Sequence, residues 1–387
     1  MLATSAHIIA GATRRRGRPA SPCAPAAAAD GGTGQRIERE LAARGRRVAL
    51  HLTATAGGPR HLDTDADLAA LVRSLVADPE ARLLFMPVAP APRGIAAVRR
   101  DRKDIFLVGF STTAGASEAA QFAAGLALIK AASCNLVLAT DRRTGVSMIV
   151  TPEQASYHVT RDLEAAISNL VEMALLRSEL TFTRSRVVPG ELVPWSSELV
   201  PAALRRVVDH CVARGAYRPF LGATAGHFAV KLGEGRLLMS RRGADFNRLS
   251  GMGLVLVEAR GDDEVIAHGA RPSAGGQSQR ILFAEHPGLD CVVHFHCPLR
   301  PGSGVPLRSQ RGYECGSREC GRNTSEGLGR FGDLRAVMLD RHGPNIVFSR
   351  GADPERIIHF IEHSFDLAAS TAGYPLPADG ASPAEIH

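Results

Sequence analysis

No apolar run in this 387-residue chain reaches the roughly 18 residues that a membrane-spanning helix needs, so no membrane partner is expected. The first 32 residues lack a charged stretch followed by an apolar one, so no secretory signal is expected. The seven cysteines, Cys23, Cys134, Cys211, Cys291, Cys297, Cys315 and Cys320, are scattered, odd in number and mostly set in apolar segments. That pattern excludes a disulfide framework and fits a reducing cytoplasm. Aromatics amount to only 5%, and Lys103, Lys130 and Lys231 are the only lysines among 46 basic residues. The net charge of +7 owes part of its size to Arg14, Arg15, Arg16 and Arg18, and elsewhere acidic residues alternate with arginines. This is a composition bias and not a nucleic-acid surface, and it favours small anionic, phosphate-bearing partners over DNA.

What is present is length and alternation. A chain of this size exceeds one ordinary core and predicts two domains. Residues 1–33 are rich in Ala, Pro and Arg and read as a disordered tail. From Gly34 to about Leu180, helical and strand patterns alternate: "GQRIERELAARG", "RRVALHLTA", "RLLFMPVA", "DIFLVGF", a helix capped by Ser117, "NLVLATD" and a closing helix. That is the signature of a Rossmann-like α/β layer with a mainly parallel sheet. Residues 181–201 carry three prolines and the single tryptophan, Trp195, and read as a linker. A second α/β domain with mixed, antiparallel pairing is expected over 202–373, and 374–387 as a flexible tail.

The second domain contains "CVVHFHCPL", with His294 and His296 two residues apart in an apolar strand. Side chains two apart share one face of a strand, so the two imidazoles point together while Val293 and Phe295 face the core. Neutral, they form half of a zinc or iron site. The alternative is a pair of half-exposed strand histidines.

From about Ala202 to Thr371 the chain resembles the class II aldolase/adducin family, whose metal pattern is a His-x-His strand and a later His-Gly turn. The resemblance puts the ligands of a divalent metal, Zn2+ or another, at His294, His296 and, in "AVMLDRHGPNIVFS", His342. Three histidines leave a coordination position open, as in catalytic sites. The family's phosphate-holding loops fall on Ser240, Arg242 and Gly243 in "SRRG", on His227 in "TAGHF", and on Ser273 in "RPSAGG". Amides and hydroxyls in such loops cradle an anion, and Arg242 adds a fork suited to phosphate or carboxylate. The family's catalytic carboxylate falls on Gly275, and Gln277 cannot replace it as a proton acceptor. Glu314 and Glu319 in "YECGSRECG" become the candidate acid/base, Glu319 before Glu314; the alternative is an exposed cluster with Arg311, Arg318 or Arg322. Cys315 and Cys320 read as buried small residues in preference to ligands. The resemblance also implies a homo-oligomer whose neighbouring chain can supply a missing group.

The first domain resembles the phosphopantothenate–cysteine ligase domain of coenzyme A biosynthesis, through "DIFLVGFSTT" and "CNLVLATD" before "MIVTP". The resemblance implies a CTP or ATP site with Phe110 against the nucleotide and Thr140 and Asp141 at the intermediate. Of the family's Gly-Gly-Thr loop with its Asp and Arg, only "DGGTGQRIE" is found. The reading expected first is a cytoplasmic metal-dependent aldolase- or epimerase-like enzyme on a small phosphorylated or carboxylated substrate. The alternatives are the ligase and a non-catalytic, adducin-like association domain.

Overall fold

The structure is a computed structural model that describes residues 5–10, 31–53, 61–62, 65–87, 102, 104–261, 264–273 and 276–376. They form two compact units, divided between Glu179 and Leu180, with Glu153–Ala155 grouped with the second.

The first unit carries, in chain order, β1 (Ser5–Ala10), α1 (Gly31–Ala43), β2 (Arg47–Thr53), β3 (His61–Leu62), α2 (Asp65–Ala77), β4 (Ala81–Met86) and β5 (Phe106–Thr113). It continues with α3 (Glu118–Ala132), β6 (Leu136–Asp141), β7 (Ser147–Val150), β8 (Ser156–Thr160) and α4 (Leu163–Ser178). The strands form one sheet in the order β3-β2-β1-β4-β5-β6-β7-β8. β1 to β6 run parallel, and β7 and β8 add an antiparallel edge. A parallel sheet is covered on both faces, which explains unbroken apolar runs such as the fully buried Phe106, Leu107 and Val108. Ser117 caps α3 as its sequence predicts, accepting a hydrogen bond from Ala120 N–H at 3.2 Å.

The expected tail over residues 1–33 needs correction. Ser5–Ala10 is an interior strand of the sheet, paired with β2 on one side and β4 on the other, and Ile8 and Ile9 are wholly buried. Gly34 in α1 packs directly on this strand: a Cβ there would lie 2.4 Å from the Ala10 Cβ. Residues 1–4 and 11–30 lie outside the described residues, as does 377–387 of the expected C-terminal tail.

The second unit carries β9 (Arg184–Val188), β10 (Val193–Pro194), α5 (Ala202–Ala213), β11 (Pro219–Phe220), β12 (Ala223–Thr224), β13 (His227–Gly233), β14 (Arg236–Met239), β15 (Gly253–Arg260) and β16 (Glu264–His268). There follow α6 (Gly276–Glu285), β17 (Cys291–His294), β18 (Leu307–Arg308), α7 (Arg318–Gly327), β19 (Gly329–Phe331), β20 (Leu334–Leu339), β21 (Gly343–Phe348) and α8 (Pro354–Ser364). Its main sheet runs β18-β20-β21-β17-β13-β14-β15-β16-β9 and is mostly antiparallel. The period of two decides which face each side chain covers: Cys291, Val293 and Phe295 join the core under α5 and α8, while Val292 joins the one under α6.

A further expectation changes here. The stretch read as a linker is part of the sheet, with β9 pairing β16 and β10 pairing β15. Trp195 is buried and donates its indole N–H to Asp209 at 3.2 Å. The end of "YECGSRECG" opens α7, capped by Ser317, which accepts from Cys320 N–H at 3.0 Å. Its sequence, "RECGRNTSEG", has no apolar period to announce a helix. Small residues instead let it approach α6, where a Cβ at Gly321 would lie 2.8 Å from Ile281. Among the described residues, no helix is long and apolar enough to cross a membrane.

Candidate metal centre

β17 ends at His294, so His296 lies just beyond the strand and not within it. The two still reach the same place, and His342 joins them from the turn between β20 and β21. One ring nitrogen from each of His294, His296 and His342 lies within 4.8 Å of the others. The turn has a steric requirement. A Cβ on Gly343 would sit 2.0 Å from the Phe295 carbonyl oxygen, so only glycine lets the His342 turn close against the His294–His296 segment. Gly226 does the same on the other flank: its φ is +105°, and a Cβ would lie 2.5 Å from the His294 carbonyl oxygen.

The donor set fits a cation. His294 Nδ1–H donates to the Pro344 carbonyl at 2.7 Å, which fixes the tautomer and leaves the Nε2 lone pair free to bind. That Nε2 stands 3.1 Å from His342 Nε2. Two ligands each about 2.0–2.1 Å from a tetrahedral zinc are separated by about 3.3 Å. His296 Nδ1 is buried and has no hydrogen-bond partner among the described residues, as expected of an atom that a cation would satisfy. Burial pushes the His294 imidazole down to about 4, against a smaller opposing pull from its bond to Pro344. Burial, then the neighbouring His294, hold His296 well below its ordinary value. The His294 and His296 rings are therefore neutral near pH 7, the form that ligates.

A fourth imidazole stands beside them. His227 opens β13 directly across from His294 in the antiparallel pair, and the two rings stack with centroids 4.7 Å apart. The side-chain amide of Gln279, itself wholly buried, donates to His227 Nε2. Sequence reasoning missed Gln279. It lies about one helical turn beyond the "RPSAGG" loop, and a glutamine carries no signal of its own.

The anion loops also come together. Ser273 N–H donates to the Ser240 carbonyl at 2.9 Å, and the two hydroxyls are 2.8 Å apart. Arg242 lies exposed on the adjoining turn, its N–H on the Arg271 carbonyl, followed by Gly243 at φ +71°. Gly275, the position of the absent carboxylate, is outside the described residues.

Residues 210–299 match the Class II Aldolase and Adducin N-terminal domain. This is the family named from the histidine pattern, and the match includes His227, His294 and His296. No curated protein matches the chain. Similar solved structures include the DNA/pantothenate metabolism flavoprotein from Streptococcus pneumoniae, at 17% identity over 45% of this chain and 96% of that one, with a TM-score of 0.32. L-fuculose 1-phosphate aldolase is 16% identical over 41% of this chain and 82% of that one, at 0.30. YgbL from Escherichia coli is 22% identical over 47% and 93%, at 0.32.

The remaining candidates of the second unit lie in and before α7. Glu319 occupies the first turn of α7, where its carboxylate accepts from Thr181 N–H at 3.0 Å. That bond ties the helix to the start of the unit. Glu314 is buried on the preceding turn, where its carbonyl accepts from Ser317 N–H at 3.1 Å. Cys320 is buried with its Sγ 3.6 Å from Gln310 Nε2, as a packed thiol.

In the first unit, Phe110 and Thr140 are half-buried, and the Thr140 hydroxyl is 3.2 Å from that of Ser147. Asp141 is sealed from solvent. Its carboxylate accepts from the Thr113 hydroxyl, from the N–H groups of Ala116, Arg143 and Thr144, and from the Thr144 hydroxyl, all at 2.8–3.1 Å. Burial opposes its charge, but these donors together hold the carboxyl well below the usual carboxylate range. With both oxygens so engaged, Asp141 is an anchor between two loops.

Proposed function

We propose that the second unit is a divalent-metal-dependent enzyme of the class II aldolase or epimerase kind, acting on a small phosphorylated or carboxylated substrate. The observation that carries this reading is the convergence of three buried imidazoles, fixed by a backbone carbonyl on one side and by Gly343 on the other. Zn2+ suits three nitrogen donors with an open fourth position. When bound, it would act as a Lewis acid toward a carbonyl or enediolate oxygen.

The chain's own residues do the rest. His294, His296 and His342 hold the metal. Ser240, Ser273 and the Gly243 turn present hydroxyls and amides to the substrate's anionic group, and Arg242 is within the same turn to close on it. His227, oriented by Gln279, stands beside His294 to hold a substrate oxygen. Glu319, before Glu314, is the candidate acid/base of this chain, and a neighbouring chain of a homo-oligomer is the other source. A ligase role for the first unit lacks comparable support, since the Asp141 carboxylate is already saturated by its own loops.

Elemental analysis of the purified protein tests the reading. About one divalent metal per chain is expected in the wild type, and His294→Ala should lose it while keeping the far-UV circular dichroism of the fold. A variant with its metal intact removes the site from consideration.

A further inference from the structure

We infer that the segment after α8, Phe365–Ala372, positions the metal ligands, and that Thr371 is its positioning residue; this rests on the metal reading above. Past α8 the chain doubles back along the extension of β17. Arg300 N–H donates to the Ser364 carbonyl at 2.8 Å, and Asp366 N–H to the Pro298 carbonyl at 2.9 Å. The fully buried Phe365 ring stands edge-on to Phe295, the residue between the two strand histidines, with centroids 5.6 Å apart. Arg218 then fixes the next stretch, donating to the Leu367 carbonyl at 2.6 Å and to the Ala369 carbonyl at 2.8 Å.

This trajectory delivers Thr371 to both ligand backbones. Its N–H donates to the His296 carbonyl at 3.2 Å, and its hydroxyl donates to the His342 carbonyl at 2.9 Å. The two histidines need such a link. His296 lies beyond the end of β17, and His342 sits in a turn whose preceding residue, Arg341, has a φ of 55°. Neither carbonyl is part of a strand ladder, so one threonine sets the spacing of two ligands that come from separate segments. Metal–ligand distances tolerate only about 0.2 Å, so a carbonyl released here is felt at the ring. Outer partners of metal ligands typically change metal affinity by about 10–100-fold.

Thr371→Val keeps the shape and the N–H bond but removes the hydroxyl donor, and Thr371→Ser restores it. Affinity for Zn2+ would be read by competition with a chromophoric chelator, and ligand geometry by the visible bands of the Co2+-loaded protein. Thr371→Val is expected to bind at least tenfold more weakly with altered Co2+ bands, and Thr371→Ser to match the wild type in both. Thr371→Val equal to the wild type in affinity and spectrum overturns the positioning role while leaving the metal reading intact. A wild type that takes up no metal overturns both. Should Thr371→Val fail to fold, Arg218→Gln frees Leu367 and Ala369 without touching a ligand. It must weaken metal binding in the same direction, and unchanged affinity there also refutes the role.

Discussion

Replacing Gly343 by alanine adds one methyl group at the tightest point of the site. That Cβ would stand 2.0 Å from the Phe295 carbonyl oxygen, and real Cβ atoms essentially never come within 3.0 Å of another heavy atom. The oxygen belongs to backbone and cannot swing aside, so the His342 turn and the His294–His296 segment must separate by at least about 1 Å. Metal sites accept distance changes of about 0.2 Å, so the displacement is several times what the ligands can absorb. The strain itself is of the kind that costs about 1–3 kcal/mol in packed interiors. Gly343→Ala should therefore still fold, with a lowered unfolding midpoint, and lose metal affinity by about a hundredfold or more. Chelator competition and thermal unfolding followed on the same preparation would measure both. Wild-type affinity in this variant would refute the argument that glycine is what lets the third histidine close on the pair.

Acidification should destabilise the metal-free protein. The His294 imidazole is held at about 4, below its ordinary 6.5, so the unfolded chain takes up this proton first, and stability present above pH 6.5 is lost as pH falls toward 4. At 1.36 kcal/mol per unit the loss from His294 amounts to about 3 kcal/mol, with His296 and His227 adding in the same direction. Urea unfolding that is flat across that range would contradict the burial of these neutral rings. In the first unit, Asp141→Ala strips the acceptor from five donors and should cost about 2–3 kcal/mol, seen as a lower denaturant midpoint. An unchanged midpoint would mean that water replaces the carboxylate without penalty.

The parts of this molecule that were legible in the sequence are those where one residue type meets a strict local demand. His-x-His and His-Gly announced the triad because a metal needs those donors and the turn needs a residue without a side chain. The parallel sheet was legible in its apolar runs. What stayed hidden depends on partners distant in sequence. "SAHIIA" is too short and too isolated among Ala, Pro and Arg to declare itself a strand, and only β2 and β4 on either side make it one. α7 has no apolar stripe, because it meets α6 through glycine and serine. Nothing local showed either that the Glu319 carboxylate would meet Thr181, 138 residues away. Gln279 gained meaning only from the imidazole it faces.

The placement of β1 has a practical consequence for anyone handling the protein. Trimming the chain to begin at Gly31, where composition turns ordinary, would take away the strand between β2 and β4 and leave two raw sheet edges where there had been none. Such edges pair with whatever strand they meet next, and the usual outcome is aggregation. The least ordered-looking stretch of the sequence is thus the one whose deletion would split a sheet down its middle.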